Sequence, residues 1–195
     1  VVVDNLSSGN FEAVKWGPFE KGDIRDRARL DAVMSQYKPA AVMHFAALIQ
    51  VGESVQNPAA YYDNNVVGSF TLLDTARAHN VQNIVLSSTA AVYGIPQTDL
   101  ITESHPTNPI NPYGNTKLTM ENMIRDYAAA YPLQYAILRY FNAAGADPEG
   151  ELGTAYKTTT HLVPLLMQVA GGELAEMKVF GDDYPTRDGS AIRDF

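Results

Sequence analysis

The sequence predicts an α/β protein built on a doubly wound parallel sheet. Short apolar, β-branched runs alternate with longer helical patterns along the chain, which is the signature of parallel strands with covering helices. The runs are apolar almost throughout, as strands buried on both faces are. Strands are expected at Val1 to Val3, Ala40 to Phe45, Asn83 to Ser87 and Gln134 to Tyr140. Helices are expected at Arg25 to Tyr37, Pro58 to His79 and Tyr113 to Tyr131. Leu30, Val33, Met34 and Tyr37 fall at core-facing spacing in the first, and Met120, Met123, Ile124 and Tyr127 in the third. Asn57-Pro58 and Asn111-Pro112 each pair an N-cap residue with proline at the first helical position. Beyond Asn142 the pattern loosens, then returns as an apolar stretch at Leu162 to Ala170 and a strand expected at Met177 to Phe180. Residues 1–142 are therefore expected to form one domain and 143–195 the start of a smaller lobe.

Composition excludes several partners. With 46% hydrophobic residues over 195 positions the chain can bury a sizeable core. Its 14 basic against 22 acidic residues give a net charge of −8, which disfavours a nucleic-acid backbone. No apolar run approaches the roughly 20 residues of a membrane span. Cysteine is absent, so disulfides and thiolate metal sites are excluded, and a cytoplasmic location is expected. The chain opens in an apolar run without methionine and stops at Arg193-Asp194-Phe195; it is expected to be a piece of something longer.

In a doubly wound sheet ligands lie outside the carboxyl ends of the strands. Asp4 follows the first strand, where a carboxylate can accept from a ribose hydroxyl and repel a 2′-phosphate, favouring NAD. The alternative is an Asp that only begins the turn Asp4 to Gly9. Tyr113 and Lys117 stand at i and i+4 on one helix face, so the ammonium can stabilise a phenolate that would otherwise form only near pH ~10. An amphipathic surface pair has the same spacing. Ser87-Ser88-Thr89 ends a separate apolar strand upstream. A hydroxyl there can hold a substrate oxygen as its proton leaves, or can simply cap the next turn.

Asp4-Asn5-Leu6, Gly22-Asp23-Ile24-Arg25, His44-Phe45-Ala46-Ala47, Val51-Gly52-Glu53-Ser54, Tyr61-Tyr62-Asp63-Asn64-Asn65, Val92-Tyr93-Gly94, Tyr113 to Lys117, Arg139-Tyr140-Phe141-Asn142 and Phe180 to Thr186 follow one another in order. Together they resemble the extended short-chain dehydrogenase/reductase family, and within it the UDP-glucose 4-epimerases. The resemblance implies a Rossmann-like fold, bound NAD, and reversible epimerisation of a UDP-hexose at C4 through a 4-keto intermediate. It implies that Thr89, Tyr113 and Lys117 are catalytic. It places Asp4 and Asn5 at the adenosine ribose, Asp23 and Ile24 beside the adenine, and Phe45, Ala46 and Ala47 along the pyrophosphate and ribose. Asn64, Ser87, Tyr113, Lys117 and Tyr140 are implied as further cofactor contacts. On the sugar-nucleotide side it implies Thr89, Tyr113, Tyr140, Phe141 and Asn142 near the hexose, with His161, Leu162, Val179, Phe180 and Arg193 near the diphosphate and uracil. Leu162, Val179 and Phe180 also suit an ordinary core. No metal site is implied, and a homodimer is expected of the full-length protein.

Several features depart from the family pattern. The glycine-rich phosphate loop and the central strand before it are not among these residues, nor is the end of the sugar-binding lobe. The 195 residues alone are therefore expected to leave open strand edges, bind NAD poorly and lack activity. Ile49 stands where some members carry a lysine that reaches a cofactor phosphate. Ala90-Ala91 stands where related dehydratases and decarboxylases place an acid, which leaves oxidation followed by reduction as the chemistry. Epimerases of N-acetylated or uronic-acid sugars, and a non-catalytic nucleotide-binding module, remain as alternative readings.

Overall fold

The computed structural model describes residues 1–153 and 159–194. Two compact units divide the chain, one of Val1–Gly9 with Val14–Phe141 and one of Asn10–Ala13 with Asn142–Phe195. In the first unit β1 (Val2–Asp4) pairs in parallel with β2 (Phe19–Lys21), setting Val2 opposite Phe19 and Asp4 opposite Lys21. A second parallel ladder runs β3 (Val42–His44), β4 (Asn83–Thr89) and β5 (Gln134–Tyr140) in that order. Its register places Val42 opposite Ile84, and Ser88 opposite Arg139. Helices make every crossover within the second ladder, as parallel pairing requires. The two ladders share no hydrogen bonds among the described residues, so β1 and β3 each keep an open edge, as expected of a sheet without its central strand.

Capping sets where the helices begin. Asp26 accepts from Arg29 N–H at 3.0 Å and starts α1 (Arg27–Tyr37), two residues later than expected. Asn111 accepts from Gly114 N–H at 2.8 Å and starts α5 (Pro112–Ala130), with Pro112 in the first turn where its missing N–H costs nothing. Leu30, Val33 and Met34 are buried on α1, as are Met120 and Ile124 on α5. The core has two clusters: Leu30, Met34, Leu72, Ala76 and Val81, and Leu73, Ile84, Leu86, Met120 and Ile124. Val42 packs against both.

Four expectations are corrected. The single helix Pro58 to His79 is instead α3 (Pro58–Tyr61), a π-helical segment (Tyr62–Val67) and α4 (Gly68–Ala78). Asn65 lies in the π segment, fully buried, and its side chain bonds the backbone of Leu48 among other protein groups. A helix α2 (Val51–Gln56) and strand β2 were not expected; each is short, and β2 carries Glu20 and Lys21 in a three-residue run. Only β4 has its alternate residues deeply buried; β5 leaves Tyr135, Leu138 and Tyr140 at 40% exposure or more. The outer strands of so narrow a ladder lack the double cover that the apolar runs suggested. In the second unit α6 (Leu162–Ala170) forms, but Met177 to Phe180 is no strand: among the described residues it pairs with no other strand, and Phe180 is 87% exposed. Among the described residues no helix is long and apolar enough to cross a membrane.

Candidate active site

The first turn of α5 meets the end of β4 because Gly114 lets it. A Cβ there would sit 2.8 Å from the Ala91 carbonyl oxygen, closer than side-chain carbons come to backbone. This approach brings Tyr113 to Thr89. Tyr113 N–H donates to Ser54 Oγ at 3.2 Å, and Ser54 is fully buried between α2 and α5. Thr89 caps the turn that follows it, since its Oγ1 accepts from Ala91 N–H at 3.1 Å, and its hydroxyl stands near enough to the Tyr113 phenol to favour the phenolate.

Lys117 lies one turn on, 2% exposed, and donates from Nζ to the Ser87 carbonyl at 2.7 Å. Burial pushes its pKa down to about 8. Burial also pushes the Tyr113 phenol up, and the Thr89 hydrogen bond only partly opposes that. The Lys117 ammonium is turned onto the strand carbonyl, and the hydroxyl that favours the Tyr113 phenolate is that of Thr89. The charge of Lys117 also reaches His44, which is buried at the end of β3 with Nε2 2.8 Å from Ser69 Oγ. Burial, then the charge of Lys117, push His44 down to about 3 and keep the imidazole neutral.

Polar side chains that sequence reasoning passed over fix this arrangement. Asn65 Nδ2 donates to Leu48 O at 3.0 Å and Thr116 Oγ1 at 3.1 Å, while its Oδ1 accepts from Leu48 N–H at 2.8 Å. Ser69 Oγ donates to the Asn65 carbonyl. The π segment, the loop after β3 and α5 are thereby tied together next to Lys117. Asn64 donates into the same amide at 3.1 Å. The signal in the sequence would have been polar residues at core-facing helix positions, each with a partner far along the chain.

A second group gathers at the carboxyl ends of β1 and β2. Asp4 Oδ1 accepts from Leu6 N–H at 2.6 Å, and a Cβ on Gly9 would lie 2.7 Å from the carboxylate; the turn reading of Asp4 therefore holds. Leu6 takes φ 60°, unusual without glycine. Asn5 Nδ2 donates to Asp23 at 3.0 Å. Arg25 grips Asp23 with Nε at 2.9 Å and a terminal nitrogen at 2.7 Å, holding that carboxyl well below the ordinary range. Ile24 is 8% exposed and packs onto Gly68.

Phe45 leaves β3 exposed, with Ala46 and Ala47 half-buried behind it. Tyr140 ends β5 at 40% exposure and Phe141 follows it at 42%, stacked on Tyr93 at 6.4 Å between centroids. The remaining candidates lie in the second unit. There Asn142 donates through N–H and Nδ2 to the Asp194 carbonyl at 3.2 and 2.7 Å. His161 and Leu162 open α6, Arg193 donates to the Ile192 carbonyl at 3.2 Å, and Val179 and Phe180 stand exposed rather than in a core. Among the described residues no three His, Cys, Asp or Glu side chains group as a metal site.

Residues 3–195 match the family model described as GDP-mannose 4,6 dehydratase. The chain belongs to the GDP-mannose 4,6 dehydratase family. Within reach of that family, it is 54% identical over its whole length to a UDP-glucose 4-epimerase of Rhizobium meliloti (strain 1021), of which it covers 60%. The crystal structure of UDP-glucose 4-epimerase from Brucella ovis in complex with NAD superposes with a TM-score of 0.92 at 54% identity, over 95% of this chain and 57% of that one. That of the Bifidobacterium longum UDP-glucose 4-epimerase with NAD+ and UDP gives 0.92 at 42% identity, over 98% and 61%. This member of the GDP-mannose 4,6 dehydratase family thus spans about three-fifths of the length of the relatives it matches.

Proposed function

We propose that the full-length protein interconverts UDP-glucose and UDP-galactose by reversible oxidation at C4 of the hexose, with NAD held as a bound cofactor. The observation that carries the reading is the grouping of Thr89, Tyr113 and Lys117 at the carboxyl end of β4. The NAD-bound and UDP-bound relatives support the cofactor and the substrate class. Ala90-Ala91 after Thr89 supports epimerisation over the dehydration that gives the family its name, because elimination needs an acid to protonate the leaving group.

The donor set suits NAD. Asp4 keeps a carboxylate oxygen beyond its bond to Leu6 for a ribose hydroxyl. Among the described residues one proton of the Lys117 ammonium is taken, by Ser87, and an ammonium has three to give. Asp4, Asn5, Asp23, Ile24, Phe45, Ala46, Ala47, Asn64, Ser87 and Tyr140 line its binding region. NAD would accept the C4 hydride and return it to the other face of the 4-keto sugar. Tyr113 takes the proton from the C4 hydroxyl and later gives it back, while Thr89 holds the sugar oxygen in line with the phenol. Lys117, desolvated against Ser87, supplies the positive charge that favours phenolate when the sugar hydroxyl is in place. Phe141, Asn142, His161, Leu162, Val179, Phe180 and Arg193 serve the UDP-sugar. The protein acts in galactose metabolism in the cytoplasm, as a homodimer.

In the full-length protein, Tyr113→Phe lowers UDP-galactose to UDP-glucose conversion by at least ~100-fold, the scale of losing general-base catalysis. A coupled assay checks this, and near-normal turnover would remove Tyr113 from the mechanism.

A further inference from the structure

Behind the site, Glu121 is fully buried on α5, one turn beyond Lys117 and two beyond Tyr113. An isolated carboxylate could not stay ionised there. Its oxygens accept from Ser88 Oγ at 2.5 Å, from Arg139 Nε at 3.0 Å and a terminal nitrogen at 2.7 Å, and from Arg125 at 2.8 Å. Burial pushes this carboxyl up, but these hydrogen bonds outweigh it and hold the group below the usual carboxylate range.

The partners differ in what they carry. Ser88 precedes Thr89, and Arg139 precedes Tyr140; in the β4–β5 register each of these residues faces its counterpart across the ladder. Arg139 also lies 4.7 Å from the centre of the Tyr93 ring, which stacks on Phe141. Arg125 is on α5 itself, with its side chain 39% exposed, and joins Glu121 to no strand. One carboxylate thus fixes the helix of the phenol and the ammonium against both strand ends that face them.

We infer that Glu121 is a positioning residue, whose carboxylate, through Ser88 and Arg139, sets the distance between Tyr113 on α5 and Thr89 on β4. This rests on the role proposed above for Tyr113, and it concerns a group that touches neither substrate nor cofactor. Because misplacement of a reacting group by about 1 Å can cost about 100-fold in rate, links that hold the strands matter to turnover. The link to Arg125 matters only to stability.

The test compares Ser88→Ala, Arg139→Lys, Glu121→Gln and Arg125→Ala in the full-length protein. Two readouts are taken on the folded fraction: kcat against KM for epimerisation, and the ionisation constant of Tyr113 by NMR of ζ-¹³C-tyrosine, assigned with Tyr113→Phe. Ser88→Ala, Arg139→Lys and Glu121→Gln are expected to lower kcat about 10-fold or more with KM within about 2-fold, and to shift the Tyr113 ionisation constant about 10-fold. Arg125→Ala is expected to lower stability and leave both readouts within about 2-fold. Ser88→Ala, the mildest change, keeps the test open if Glu121→Gln does not fold. If all four variants lose activity in proportion to stability with Tyr113 titrating unchanged, Glu121 is structural only. If the wild-type protein shows no epimerisation, the functional reading fails, and the Tyr113 titration still decides the positioning role.

Discussion

Lys117 shows at residue scale how the site opposes the fold. Its ordinary pKa of 10.5 falls to about 8 through burial, so between those values the unfolded chain binds the extra proton. Stability attributable to Lys117 therefore rises from about pH 8 to 10.5, and the full penalty applies below about pH 8. Lys117→Met is expected to raise unfolding free energy at neutral pH by up to about 3 kcal/mol while abolishing turnover. Urea denaturation at neutral and alkaline pH checks this, and no gain at neutral pH would mean that the ammonium is not desolvated. His44 has the same sign lower down. Its pKa drops from 6.5 to about 3, so stability falls as pH falls through that window, and His44→Gln should flatten the acid limb of a Tm profile. Thr89, Tyr113 and Lys117 were legible because their spacing and strand-end placement are local in sequence. Asn65, His44 and Glu121 were not, because each is a polar residue at a core position whose partner lies 17 to 51 residues away.

Elements were legible where capping chemistry marks them. Asn111-Pro112 and Asn57-Pro58 start helices as their side chains dictate, with Asn57 accepting from Ala60 N–H at 3.4 Å. The π segment at Tyr62–Val67 was not: it carries Asn65, whose bonds to the loop after β3 are distant in sequence. Such segments often mark functional sites. Met177 to Phe180 shows the converse: β-branched and aromatic residues suggest a strand, but among the described residues no neighbouring strand satisfies the backbone. Asn111→Ala is expected to cost about 1 kcal/mol by chemical denaturation. Gly114→Ala has a larger effect on activity than on stability, because displacing the first turn of α5 from the Ala91 carbonyl separates Tyr113 from Thr89. Unchanged kcat in Gly114→Ala would show that this contact does not set the geometry.

At the scale of the molecule, the parallel order and crossover helices followed from the alternation of runs. The division of the sheet into two ladders followed from the absence of a central strand among these residues. The phosphate-binding turn of a dinucleotide fold is also not among them. The 195-residue polypeptide alone is therefore expected to bind NAD far more weakly than the full-length protein, as calorimetry would show. In the proposed reading Asp4 and Lys117 would reach only the ends of such a cofactor. The central claim, oxidation and reduction at C4 with one hydride carried by NAD, is tested most directly by isotope retention. The full-length protein is given UDP-glucose deuterated at C4 in ordinary water, and the UDP-galactose formed is examined by mass spectrometry. Deuterium retained at C4 is the predicted result; deuterium lost to solvent would contradict the account.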